Sequence, residues 1–387
     1  MNTDTLTRSV VEALAGRSIR KIAQDPERGL RALVDIGAAT ARGRFQRHYM
    51  NVIQGALADE NCPYYEMVCR TARQTEERNL RTFGVNVGWQ SWTVGARRIR
   101  DCEAANGFDV PWSMTFHMGG GGNGTDWSAL VRSGQECGIW TYFLHAGGDP
   151  DAAARAAALA EGAPACAFLL FVSQKSVYPL LEELAALDNV MTVVDTAGGD
   201  WRRAAAALRE ERRLYGLWRL CAADGDTDAA ERWLEEIQHE GALAAFLLPG
   251  PACTAAGRAR LSRLAEATWR SRRYPMLVFD YYKDILLVDE IISDRSCFAG
   301  VLPDGRATVY RDGQERPGGA DLRKVSLAEA LRLQCAPPSG PWGERLYNCI
   351  GERTAPPICS NVDLSTTFLS KALNKTSTSS RSAVCKM

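Results

Sequence analysis

The feature that most constrains this chain is a rhythm running from Pro111 to Asp280. Apolar runs of five to eight residues recur, each followed by an alanine-rich or charged stretch with helical spacing. Short apolar runs bounded by turn residues read as buried strands, and the stretches between them read as helices. The strands fall at 112–118, 139–146, 165–172, 190–195, 215–221, 243–248 and 275–280. The helices fall at 126–137, 151–162, 176–187, 200–213, 226–240 and 254–272. The fifth helix shows the logic: Asp226-Thr227 supplies a cap, Ala230, Trp233, Leu234 and Ile237 form one stripe, and Gly241 ends it. Such alternation calls for an α/β architecture with a parallel sheet, either a barrel or a doubly wound open sheet. Periodicity does not choose between them.

The flanks have a different texture. Residues 1–110 read as an N-terminal helical region, with apolar residues at helical intervals in 17–23 and 29–37, breakers at Asn61-Cys-Pro63, and further helices over 64–80 and from Gly95 to Ala105. No chemistry is visible in it. After Asp280 the alternation stops, and Ser296 to Tyr310 reads as a hairpin around Pro303-Asp-Gly305, followed by a short helix at 326–332. The barrel region with its hairpin therefore spans 111–333. The segment 334–387, rich in Pro, Ser, Thr and Asn, is expected to be a polar, flexible tail.

Composition excludes several classes. Lys plus Arg and Asp plus Glu both number 46, so no global field favours nucleic acid or an anionic membrane. Arg202, Arg203, Arg209, Arg212 and Arg213 alternate with Glu210 and Glu211, which reads as a solvated helix face. No run approaches the roughly 20 apolar residues of a membrane span, and Met1 to Leu6 carries no apolar leader. A cytoplasmic protein is expected. The twelve cysteines never lie closer than seven apart, which excludes CxxC zinc or redox pairs and clustered iron–sulfur signatures. Most are expected to be reduced, buried and inert.

In βα barrels the functional groups sit at the C-terminal ends of strands. Here those residues are His117, His145, Asp195, Cys221 and Asp280. The chain has four histidines, and two of them end adjacent strands. An imidazole pair, His117 and His145, with a carboxylate suits a divalent metal such as Zn²⁺ or Fe²⁺. A His and an Asp could instead share acid–base work, line a metal-free polar pocket, or be polar merely because a strand emerges there. Gly119, Gly121 and Gly124 have the spacing of a phosphate-binding loop, but a run of glycines meets that pattern by chance, and Asn123-Gly-Thr-Asp126 reads rather as a turn that caps a helix.

Five segments stand out: Pro111-Trp112 before the first strand, Gly134-Gln-Glu-Cys-Gly138 before the second, Gly147-Gly-Asp-Pro150 after it, Cys166 to Ser173, and Cys297 with Asp304-Gly305. Together they resemble the radical S-adenosylmethionine (SAM) family across 111–333. The resemblance implies a partial (β/α)6-type TIM-like barrel with an N-terminal helical cap and a C-terminal β-hairpin extension. In that family the loop after the first strand carries C-x3-C-x2-C for a [4Fe–4S] cluster; here Gly119-Gly-Gly-Gly-Asn-Gly-Thr125 has no cysteine, so no such cluster is expected. Gly147, Gly148 and Asp149 stand where the family's G-G-E-P receives the amino group of SAM, so SAM remains an admissible ligand, as does a divalent metal. Asp149 also reads as a helix cap before Asp151-Ala-Ala-Ala. Gln174-Lys-Ser replaces the usual T-N-G turn, and Tyr310 stands where a second cysteine is usual. The resemblance thus implies a cluster-less relative that binds a small molecule or a peptide or protein partner, as a non-radical accessory in peptide or natural-product modification. The alternative is a repurposed barrel enzyme using a divalent metal or acid–base residues at strand ends.

Overall fold

The computed structural model describes residues 3–40, 54, 61–120, 124–224, 226–293 and 295–335. The expected tail from 336 onward and the centre of the glycine loop, 121–123, lie outside the described residues.

Ten strands form one sheet: β1 (Ser113–His117), β2 (Thr141–Gly147), β3 (Ala167–Val172), β4 (Val190–Asp195), β5 (Tyr215–Cys221), β6 (Ala244–Pro249), β7 (Leu277–Asp280), β8 (Ala299–Val301), β9 (Arg306–Arg311) and β10 (Gln314–Asp321). Their order is β10-β9-β8-β1-β2-β3-β4-β5-β6-β7. The helices before the sheet are α1 (Thr3–Gln24), α2 (Pro26–Thr40), α3 (Pro63–Gln74), α4 (Glu77–Val85) and, after a π-helical stretch at Asn86–Gly95, α5 (Ala96–Asn106). Between strands run α6 (Trp127–Cys137), α7 (Pro150–Glu161), α8 (Gln174–Val177), α9 (Leu181–Ala186), α10 (Trp201–Glu210), α11 (Asp226–Ile237), α12 (Ala255–Ser271) and α13 (Tyr281–Ser293), and α14 (Leu327–Cys335) follows the sheet.

Each apolar run identified above is a strand. The seven expected strands, β1 to β7, run parallel as a partial barrel requires, and β8 returns beside β1, also parallel, on the far side. The β8–β9 hairpin continues through a second reversal at Asp312 (φ 53°) and Gly313 (φ 75°) into β10. That strand is invisible in Gln-Glu-Arg-Pro-Gly-Gly-Ala-Asp because a proline and two glycines erase its alternation.

Distances show that the sheet curls. Adjacent strands lie about 4.8 Å apart, so β2 and β7 would be about 24 Å apart in a flat sheet. Yet Nε2 of His145 on β2 lies 2.7 Å from the hydroxyl of Tyr281, the residue that follows β7. Likewise Phe171 of β3 and Phe246 of β6 have ring centroids 5.3 Å apart. Farther round, Gln314 of β10 donates to the carbonyl of Pro251 after β6 at 2.9 Å. The result is a half-barrel with an aromatic interior, flanked by helices.

The N-terminal helices close the lower end, where strands begin. Strand starts carry backbone groups that the ladder leaves unpaired, and buried ones must find partners. Asn86 donates to the carbonyls of Pro164 and Cys166 ahead of β3. Asn79 donates to Asp188 and Val190 at the start of β4 and accepts from the Leu214 amide ahead of β5. Arg70 reaches the carbonyls of Ala242 and Pro275 ahead of β6 and β7. At β2 the closure is steric: a Cβ on Gly95 would lie 2.6 Å from the carbonyl of Gly138. Arg213 belongs to this plug, which corrects the expectation of a wholly solvated arginine face. It is 4% exposed and bonds Glu76 and the carbonyl of Leu187, while Arg202 does pair at the surface with Glu236 and Glu240.

Cysteine usage departs from expectation at one place. Cys297 and Cys335 form a disulfide that ties the start of β8 to the end of α14, whereas the other described cysteines are free and all but Cys102 are buried. Among the described residues no helix is long and apolar enough to cross a membrane.

Candidate functional site

Strand parity sorts the five strand-end residues into two groups. Successive side chains point to opposite faces, and paired residues on neighbouring strands share a face. The register pairs His117 with His145 and His145 with Phe171, and it pairs Asp195 with Trp218. These side chains face the barrel interior, where Phe171 meets Trp218 and Phe246. Cys221 is an odd number of residues from Trp218, and Asp280 is next to inward-facing Phe279, so both face the surrounding helices. Accordingly Asp280 accepts from the hydroxyl of Ser262 on α12, and burial raises its pKa. Cys221 is fully buried, its thiol pushed up to about 12 by that burial. The five residues are therefore not one constellation, because two are turned away.

Inside the mouth the two histidines are stacked, with centroids 5.4 Å apart and planes at 30°. Each Nε2 is engaged separately. His117 Nε2 lies 2.7 Å from Oε1 of Glu315, and His145 Nε2 lies 2.7 Å from the Tyr281 hydroxyl, which is also 3.0 Å from Oγ1 of Thr115. Glu315 was not among the sequence candidates. It reaches the interior from β10 and also accepts from the hydroxyls of Tyr282, at 3.1 Å, and Thr308. Gly300 makes room for it: a Cβ there would sit 2.5 Å from Oε1 of Glu315.

The electrostatics follow from this geometry. Burial acts to raise the Glu315 pKa, but the hydrogen bond and charge of His117, with the Thr308 and Tyr282 hydroxyls, outweigh it and hold the carboxyl below its ordinary value. Burial, reinforced by the charge of His117, pushes His145 well below the ordinary imidazole range and keeps it neutral. Burial raises the hydroxyls of Tyr281 and Tyr282, so both serve as neutral donors or acceptors. An ionised carboxylate only accepts, so the proton between Glu315 and His117 is assigned to Nε2 of the ring. With Nε2 holding its proton toward Glu315, the nitrogen that carries a lone pair whenever the ring is neutral is Nδ1.

The ligand expectations meet the following geometry. Asp195 accepts from the Ala197 amide at 2.8 Å in a local turn, and burial raises its pKa. Among the described residues no group of three or more His, Cys, Asp or Glu is placed to hold a metal, and His117 with His145 presents stacked faces rather than converging nitrogens. The β1–α6 loop, Gly119 to Thr125, supplies no cysteine, so its donor set does not fit the family's iron–sulfur cluster. At the SAM-like motif, Asp149 caps α7, accepting from the amides of Asp151 at 3.0 Å and Ala152 at 3.2 Å, with Arg155 at 4.0 Å from its other oxygen. Gly147 (φ 60°) receives the Ser173 amide on its carbonyl at 2.8 Å, and Gly148 follows as the link to the cap. Both amides fall on Oδ1, so Asp149 is a helix cap as the sequence also suggested, while among the described residues Oδ2 makes no polar contact shorter than that to Arg155. No family model and no curated protein matches the chain.

Proposed function

We propose that this chain is a cluster-less barrel protein of the radical SAM type whose C-terminal mouth binds a small polar molecule or a peptide, as a non-radical accessory in peptide or natural-product modification. The observation that carries the reading is the inward-facing set of His117 and His145 at strand ends, Tyr281 and Tyr282 at the start of α13, and Glu315 near the start of β10: five polar side chains in an aromatic interior, none of them a thiol. Concave strand-end sites with a few convergent polar groups are where barrels bind ligands. A repurposed barrel enzyme is the second reading, favoured by the carboxylate–imidazole contact between Glu315 and His117. A divalent metal, SAM or a protein partner would each add to either reading, and neither rests on them.

The test is metal analysis of purified protein beside its ultraviolet–visible spectrum, followed by calorimetric titration with SAM. A colourless protein free of iron and of stoichiometric divalent metal, giving no heat with millimolar SAM, is expected. A brown protein with several irons per chain would refute the cluster-less premise. Saturable heat with SAM would restore Gly147, Gly148 and Asp149 as a cofactor site.

A further inference from the structure

We propose that His117 is a general base, a catalytic residue positioned by Glu315, that takes a proton from a weakly acidic C–H or N–H group of a flat, apolar-bodied ligand. The inference rests on the mouth being a ligand site and adds what the site does. Three observations carry it. First, the Glu315 side chain is 10% exposed and held by three donors, whereas His117 is 30% exposed, so the carboxylate is fixed behind a ring that still reaches solvent. Second, the carboxylate binds Nε2, and among the described residues no hydrogen bond engages Nδ1; a carboxylate on one ring nitrogen fixes the tautomer that leaves the other as base. Third, the neighbouring wall is made of flat rings: Phe171 stacks on His145 with centroids 4.4 Å apart and meets Trp218 and Phe246, and Trp218 keeps a partly exposed edge. The titratable groups in contact with His117 are His145 from β2 and Glu315 from β10, and behind them Tyr281 of α13 meets His145 while Tyr282 of α13 donates to Glu315; Glu315 alone among these four carries charge at neutral pH.

The ring-opening elimination of 5-nitrobenzisoxazole tests this with the full chain. His117 Nδ1 takes the ring C–H proton, and that bond's electron pair completes a nitrile. The N–O bond breaks, its pair stays on the phenolate oxygen, and the proton passes on to water. The expected rate is on the order of 10²-fold above buffer, and His117→Gln removes it. Glu315→Gln lowers kcat about tenfold at unchanged KM, and Glu315→Asp restores part of it. A residue that only pinned β10 would instead change KM and melting together. A wild-type rate equal to that in buffer, or a His117→Gln variant as fast as wild type, overturns the proposal. If 5-nitrobenzisoxazole shifts the His117 and His145 ring signals in NMR without turning over, the base role fails and the ligand site stands; with neither shift nor turnover, both fail.

Discussion

Replacing Asn79 with alanine tests whether the N-terminal helices are part of the barrel or an appendage to it. Asn79 is fully buried on α4, donating to the carbonyls of Asp188 and Val190 at 3.0 and 3.1 Å and accepting from the Leu214 amide at 2.8 Å. Truncation strands three backbone groups at the starts of β4 and β5. An orphaned buried amide costs about 2 kcal/mol and each carbonyl, with a second lone pair to fall back on, about 1, for a total of about 4 kcal/mol. With a urea slope of about 3 kcal/mol/M the midpoint falls by about 1.3 M at unchanged slope. Circular dichroism through a urea series reads this directly. Asn106 is the control: it is exposed and its amide donates only within its own helix turn, to the carbonyl and Sγ of Cys102, so Asn106→Ala stays within about 0.5 kcal/mol of wild type. If Asn79→Ala is as mild as the control, the strand starts do not depend on the helical plug and the reasoning fails.

Two further outcomes concern stability. Cys335→Ser opens a covalent loop with a sequence separation of 38, and loop-closure entropy puts the loss at about 4 kcal/mol, read as a lower melting midpoint matched by wild type under reductant. Asp284, beside buried Asp280, has its carboxyl pushed up to about 8, first by burial and then by the charge of Asp280. The folded state therefore keeps a proton that the unfolded chain releases, so stability falls as pH rises between 3.8 and about 8. Asp284→Asn flattens that part of the stability–pH curve, and an unchanged slope in the variant counts against the assignment.

The alternation from Pro111 to Asp280 was legible because a parallel sheet covered by helices must bury both faces of its strands, which writes continuous apolar runs into the sequence. The two histidines were legible for the same reason, as polar breaks where β1 and β2 end. What the strand-end rule lacked was parity: Cys221 and Asp280 end their strands too, but one residue of phase turns each toward the helices. Glu315 could not be placed, since its strand carries no alternation and its meaning depends on a register set 198 residues away, at His117. Asn79 and Asn86 left a fainter trace, two amides seven residues apart in an otherwise amphipathic helical region. Seven residues is close to two helical turns, so both amides share the face that meets the barrel.

Among the described residues the curled sheet remains open, and the two margins left unpaired there bear on self-association. A strand with unpaired amides and carbonyls can template another chain, and exposed margins are usually blunted. Here β7 offers only four residues, from Leu277 to Asp280. At the other margin β10 carries Pro317, which has no amide hydrogen to donate, and its pairing slips between Pro317 and Asp321. The features that hid β10 from the sequence are those that make it a poor docking edge. An unclosed barrel of ten strands can thereby stay a discrete particle instead of the first layer of a growing sheet.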